Sequence, residues 1–124
     1  MPERARAFSP GERIAIGISF IHEGDSEIES VEATFAREDS NEEIRLLGDA
    51  EREASGGEAE IIYSARLEAK VESGTTPGEY HCVRLTARDR FDDDWEFDEV
   101  ARLDLVVRVE RLPHRLEVTA CDFL

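Results

Sequence analysis

From Glu60 to Glu72 the chain alternates apolar and polar side chains over thirteen residues, with one break at Ile62. Ile61, Tyr63, Ala65, Leu67, Ala69 and Val71 share one parity, while Glu60, Ser64, Arg66, Glu68, Lys70 and Glu72 share the other. Successive residues of a strand point to opposite faces, whereas a helix repeats every 3.6 residues. This stretch therefore reads as a β-strand with one face on a core and one in water.

The same period returns along the chain. Ile14, Ile16, Ile18 and Phe20 alternate with Arg13 and the small residues Ala15, Gly17 and Ser19. Val31, Ala33 and Phe35 mark a second strand over Ser30–Arg37, and Ile44 and Leu46 a shorter one over Glu43–Leu47. Ala101, Leu103, Leu105, Val107 and Val109 predict a strand over Glu99–Glu110, and Leu116, Val118 and Ala120 a last one over Arg115–Ala120. Turn chemistry separates these runs at Glu23–Ser26, Glu38–Asn41, Ser55–Gly57 and Ser73–Gly78. Strands at such spacing predict a sandwich or barrel. Ser40 and Glu43 also fit a capping box opening a helix to Gly56, but Gly48 would sit inside it. A strand followed by a loop over Asp49–Glu58 is the preferred reading.

Composition narrows the functional classes. The 124 residues suit one domain, 1–124, with 112–124 as an extra C-terminal edge strand or tail. Thirty acids against fifteen bases give a net charge of -15, a field that repels nucleic acid and anionic membrane surfaces. No apolar run is long enough for a membrane span, and residues 1–8 lack the apolar stretch of a signal peptide. The expected setting is cytoplasmic, or that of a fragment of a secreted protein. Cys82 and Cys121 are the two cysteines and decide no compartment.

The stretch Pro77-Gly78-Glu79-Tyr80-His81-Cys82-Val83-Arg84-Leu85-Thr86-Ala87-Arg88-Asp89 resembles the penultimate strand of bacterial immunoglobulin-like and fibronectin-III-like domains. Val31–Phe35 and Tyr63–Leu67 resemble earlier strands of the same family. The resemblance implies an immunoglobulin-like antiparallel β-sandwich of seven or eight strands. It implies that Tyr80 forms a tyrosine corner, its hydroxyl bonded to backbone near the Ser73–Pro77 turn. It also places Cys82, Leu85 and Ala87 in the core. The change of parity between Cys82 and Leu85 predicts a β-bulge. The chain departs from the family in two places: Arg13–His22 holds no cysteine to pair with Cys82, and Trp95 follows the penultimate strand.

Two clusters carry possible chemistry. Asp89, Asp92, Asp93, Asp94, Asp98 and Glu99 fall within eleven residues. Clustered carboxylates suit calcium, with Asp89, Asp92, Asp93 and Asp94 as candidate ligands, or else form a solvated acidic hairpin. Phe91, Trp95 and Phe97 lie in the same hairpin. They offer a platform for a ligand such as carbohydrate, or they cap the open end of the core. His22, His81 and His114 are scattered, and no nucleophile motif or phosphate-binding loop is present. Neither catalytic residues nor a cofactor is expected. The expected function is a non-catalytic protein-interaction or spacer module. The alternative is a small-ligand module that binds carbohydrate or calcium through residues 89–99. The apolar stripe of Leu116, Val118, Ala120, Phe123 and Leu124 adds an expectation of homodimers paired through the C-terminal strand.

Overall fold

A computed structural model describes residues 5–24, 27–55, 60–98, 100–111 and 116–124. Among them are eight strands, one turn of 3-10 helix and no α-helix: β1 (Ala5–Phe8), β2 (Arg13–Glu23), β3 (Ile28–Ala36), β4 (Glu43–Ser55), β5 (Glu60–Lys70), β6 (Gly78–Asp89), β7 (Asp94–Glu96), the 3-10 turn Val100–Leu103 and β8 (Val106–Val109). The fold is all-β, as the alternation predicts. Its strands form one continuous sheet in the order β1-β8-β6-β3-β4-β5-β2, with β7 on the free half of β6. The sheet curls almost into a barrel and does not divide plainly into two layers.

Curling follows from where the apolar face lies. Val31, Ala33 and Phe35 of β3, Leu46 of β4, Tyr63 and Leu67 of β5, and Tyr80 and Leu85 of β6 are all buried on the inner side. The period-two pattern assigns those of β3, β4 and β5 inward, and the family resemblance those of β6. Pairings are antiparallel except between β1 and β8, which run parallel with Ala5 opposite Val106. The bulge expected in β6 is present. Thr34 faces Arg84 and Phe35 faces Cys82, so Val83 is the extra residue and Cys82 and Leu85 both turn inward.

Three segments differ from the sequence reading. β4 continues through Gly48 to Ser55, where a loop is predicted. Its first part pairs with β3 and its later part with β5, so one strand carries the sheet around the corner. A side chain on Gly48 would collide with the Arg66 carbonyl, so only glycine permits this approach. The strand expected over Glu99–Glu110 shrinks to Val106–Val109, with Ala101 and Leu103 in the 3-10 turn. The reason is competition for one edge. β8 takes Gly78–His81 of β6 and β7 takes Thr86–Arg88, so the connection must leave the sheet between them. Lastly, Leu116–Ala120 form no strand and stand exposed, while 112–115 lie outside the described residues. No helix among the described residues is long and apolar enough to cross a membrane.

Candidate functional site

The two ends of the sheet, β1 and β2, are joined by the short Ser9–Glu12 turn, yet they do not pair. Gly11 N–H donates to Val71 O at 2.8 Å, and Val71 N–H to Glu12 O at 2.9 Å, which pins that turn to the end of β5. At the other end of the gap, Phe20 and Phe97 meet edge to face with ring centroids 5.2 Å apart. Between these two fastenings lies an open groove of about 590 Å³. Ile16, Ile18 and Phe20 line it from β2, with Phe8 from β1 and Leu103 and Leu105 opposite. Such a volume falls within the range of roughly 300–1,000 Å³ typical of binding sites.

The inner residues of β2 are therefore incompletely covered. Ile14 is buried, but Ile16, Ile18 and Phe20 are only half-buried. Among the described residues, β2 pairs with β5 alone, and its second edge is open. Natural edge strands are often protected by lysine, proline or bulges. The outward positions Ala15, Gly17 and Ser19 supply none of these. That run of small residues was the available sequence signal of an uncovered edge. The Ile14–Phe20 alternation announces an inward face but not whether anything lies over it.

The acidic hairpin is built around Asp89. Asp89 is buried, and its carboxylate organises the turn between β6 and β7. Oδ1 accepts the N–H groups of Phe91 and Asp93 at 2.9 and 3.1 Å, and Oδ2 accepts Trp95 Nε1–H at 3.0 Å. Asp94 instead lies 2.9 Å from Arg88 Nε, and this guanidinium holds its carboxyl below the ordinary aspartate value. Asp92 and Asp93 are exposed, and Asp92 takes a left-handed φ of 63° at the turn. Thus the four candidate calcium ligands divide among a buried acceptor, an ion pair and two solvated tips. No group of three or more His, Cys, Asp or Glu able to hold a metal occurs among the described residues.

The hairpin aromatics also part company. Phe97 turns in against Phe20, Trp95 leans onto Asp89 while remaining half exposed, and Phe91 stands exposed beneath Arg90, whose guanidinium carbon is 5.0 Å from the ring centre. On the outer face, β3, β4, β6 and β7 enclose a polar hollow of about 500 Å³ with Arg45, Arg84 and Arg88 among acids. Sequence reasoning did not single out this hollow, because its residues come from four separate strands.

At the opposite end of β6, Tyr80 is fully buried and fastens its loop as expected. Its hydroxyl lies 2.7 Å from Thr76 O and 2.8 Å from a Glu42 carboxylate oxygen, between which the one phenolic proton is shared. Burial, then the hydrogen bond to Glu42 and the charge of that carboxylate, push the phenol up to about 12. Thr76 and Tyr80 hydroxyls hold the Glu42 carboxyl below its ordinary value. Cys82 is buried and free, its thiol pushed up by desolvation, while Cys121 is exposed and free. His81 approaches Glu79 at 3.7 Å, and His114 lies outside the described residues. Comparison with family models, with curated proteins and with solved structures finds no match to this chain.

Proposed function

We propose that this chain is a non-catalytic interaction module on an immunoglobulin-like plan, which receives an extended protein segment at the seam between β1 and β2. The observation that carries this reading is the open edge of β2 beside an apolar groove of about 590 Å³. Extended segments bind by this mode: backbone hydrogen bonds to a free edge supply affinity, and alternate side chains fill pockets beneath.

The immunoglobulin-like plan is supported by strand order. β3-β6-β8 follows the C-F-G order of that class, and β4-β5-β2 follows D-E-B. The Tyr80 corner falls two residues before Cys82, at the start of the strand equivalent to F. The non-catalytic reading is supported by how the reactive groups are used. Asp89 holds a turn, Glu42 holds a corner, and Cys82 is a small core residue with a raised thiol pKa.

Hydrogen exchange on a dilute solution of this 124-residue chain tests the reading. A synthetic extended peptide alternating leucine or valine with threonine is the probe. Amides of Ile16–Ile21 should exchange more slowly at peptide excess, while those of the outer-face hollow should not change. No slowing in β2, or slowing confined to Arg84–Arg88, would overturn it.

A further inference from the structure

The molecule carries a second unsatisfied apolar stripe besides the seam. Leu116 and Val118 are 99% and 82% exposed, and Phe123 and Leu124 are wholly exposed. Leu116, Val118 and Ala120 share one parity, so in extended form they present one apolar face. We propose that the C-terminal segment of a second copy of this chain occupies the seam, adding to the edge of β2 with Leu116, Val118 and Ala120 lowered into the groove. This rests on the interaction-module reading and names its partner.

The fit is one of length, chemistry and position. The groove runs from the Ser9–Glu12 turn to the Phe20–Phe97 contact, alongside Ile14–Phe20, about 20 Å at the rise of a strand. Leu116–Ala120 spans about 13 Å when extended, so its three inward side chains match the three incompletely covered residues Ile16, Ile18 and Phe20. The segment is not seated in its own seam, where its apolar side chains would be covered. The exit point favours reciprocal exchange. Glu110 N–H donates to Phe8 O at 2.9 Å and Arg111 donates to Ser73 O, so the chain leaves β8 beside the Ser9–Glu12 end of the groove. Two copies meeting at that end can each lend a segment to the other, which closes the pair around a two-fold axis.

Charge gives this association a signature. Each copy carries -15, so the copies repel and apolar contact must overcome that repulsion. Salt screens the repulsion and should tighten the pair, whereas association through ion pairs would loosen.

The test uses the full chain. Sedimentation should show a concentration-dependent dimer of twice 14.0 kDa, strengthened by sodium chloride. The double substitution L116D/V118D, in residues that stand in solvent and leave folding intact, should abolish it. With Leu116 inward, Cys121 falls on the outward parity, the side on which Ala15 and Ser19 lie in β2. Ala15→Cys and Ser19→Cys variants should therefore form a disulfide to Cys121 that runs at dimer mass in one of the two. A disulfide at monomer mass, a monomer at every concentration, or a dimer that survives L116D/V118D would overturn the proposal. If the dimer fails while the synthetic peptide still protects β2, the interaction module stands and only this partner falls.

Discussion

β6 and β2 both alternate apolar and polar residues but meet opposite fates. In β6, Tyr80, Cys82, Leu85, Ala87 and Asp89 are all buried, and each end is fastened by a polar device, the Tyr80 corner and the Asp89 turn. In β2 the pattern is stricter, yet Ile16, Ile18 and Phe20 remain half-buried and one edge is unpaired. The difference is position in the sheet. β6 has neighbours on both sides, whereas β2 ends the order. Alternation decides which face looks inward, and the number of neighbours decides how completely that face is covered.

Gly48 joins the two regions, and substituting it should have the largest effect. Gly48→Ala drives a methyl group into the Arg66 carbonyl, which is backbone and cannot swing aside. A loss of about 3 kcal/mol or more is expected in urea unfolding. Equal truncations on either side should then separate the regions. Leu67→Ala, at a fully buried position, should cost about 2–5 kcal/mol, and Ile18→Ala in the seam less than half of that. Equal losses would break the comparison, because they would mean the groove is filled.

The polar fastenings rank below the core. Asp89→Ala strips acceptors from two backbone N–H groups and the Trp95 indole, and should cost about 1.5–3 kcal/mol. A blue- or red-shifted Trp95 emission should accompany it. Tyr80→Phe should cost about 0.5–1.5 kcal/mol. It should also raise the Glu42 pKa toward its ordinary value in an NMR titration, since the phenol helps to lower it. A carboxyl lowered by folding adds stability at pH values above its unfolded pKa, near 4.5, and loses that contribution as pH falls through the lowered value. The wild-type advantage over Tyr80→Phe should thus narrow on acidification. Calcium should have the smallest effect. Because Asp89 and Asp94 are already engaged, millimolar calcium should leave the melting temperature unchanged, and a clear rise would reveal a hairpin site.

Much of the closed region was legible in the sequence. Tyr80, the bulge near Val83 and the inward set of β3, β5 and β6 follow from period two and from the Pro-Gly-x-Tyr resemblance, all local signals. The open region was not. That β7 and β8 share one edge of β6, leaving 100–104 to cross outside the sheet, depends on pairings far apart in sequence. The continuation of β4 was hidden for a related reason. Asp49, Glu51 and Glu53 look like loop composition, but a strand exposed on most of its length carries such residues freely. The hairpin carboxylates were visible as a cluster. Their division into acceptor, ion pair and solvated tips is a matter of distances no spacing encodes.

Gly48 has one more consequence, in the mechanics of the groove. β4 lies in the sheet with β3, β6, β8 and β1 on one side and β5 and β2 on the other, so it works as the spine of a clasp whose jaws are β1 and β2. Spreading the jaws need break no rung of the ladder between neighbouring strands, since the strain can be spread as twist along thirteen residues of spine. What resists is the pin at each end of the opening, the Gly11–Val71 pair and the Phe20–Phe97 contact. Two backbone hydrogen bonds hold the turn to Val71, whereas a single ring contact holds the Phe20 end. An incoming segment would therefore release the clasp from the Phe20 end, leaving the Ser9–Glu12 turn as its hinge.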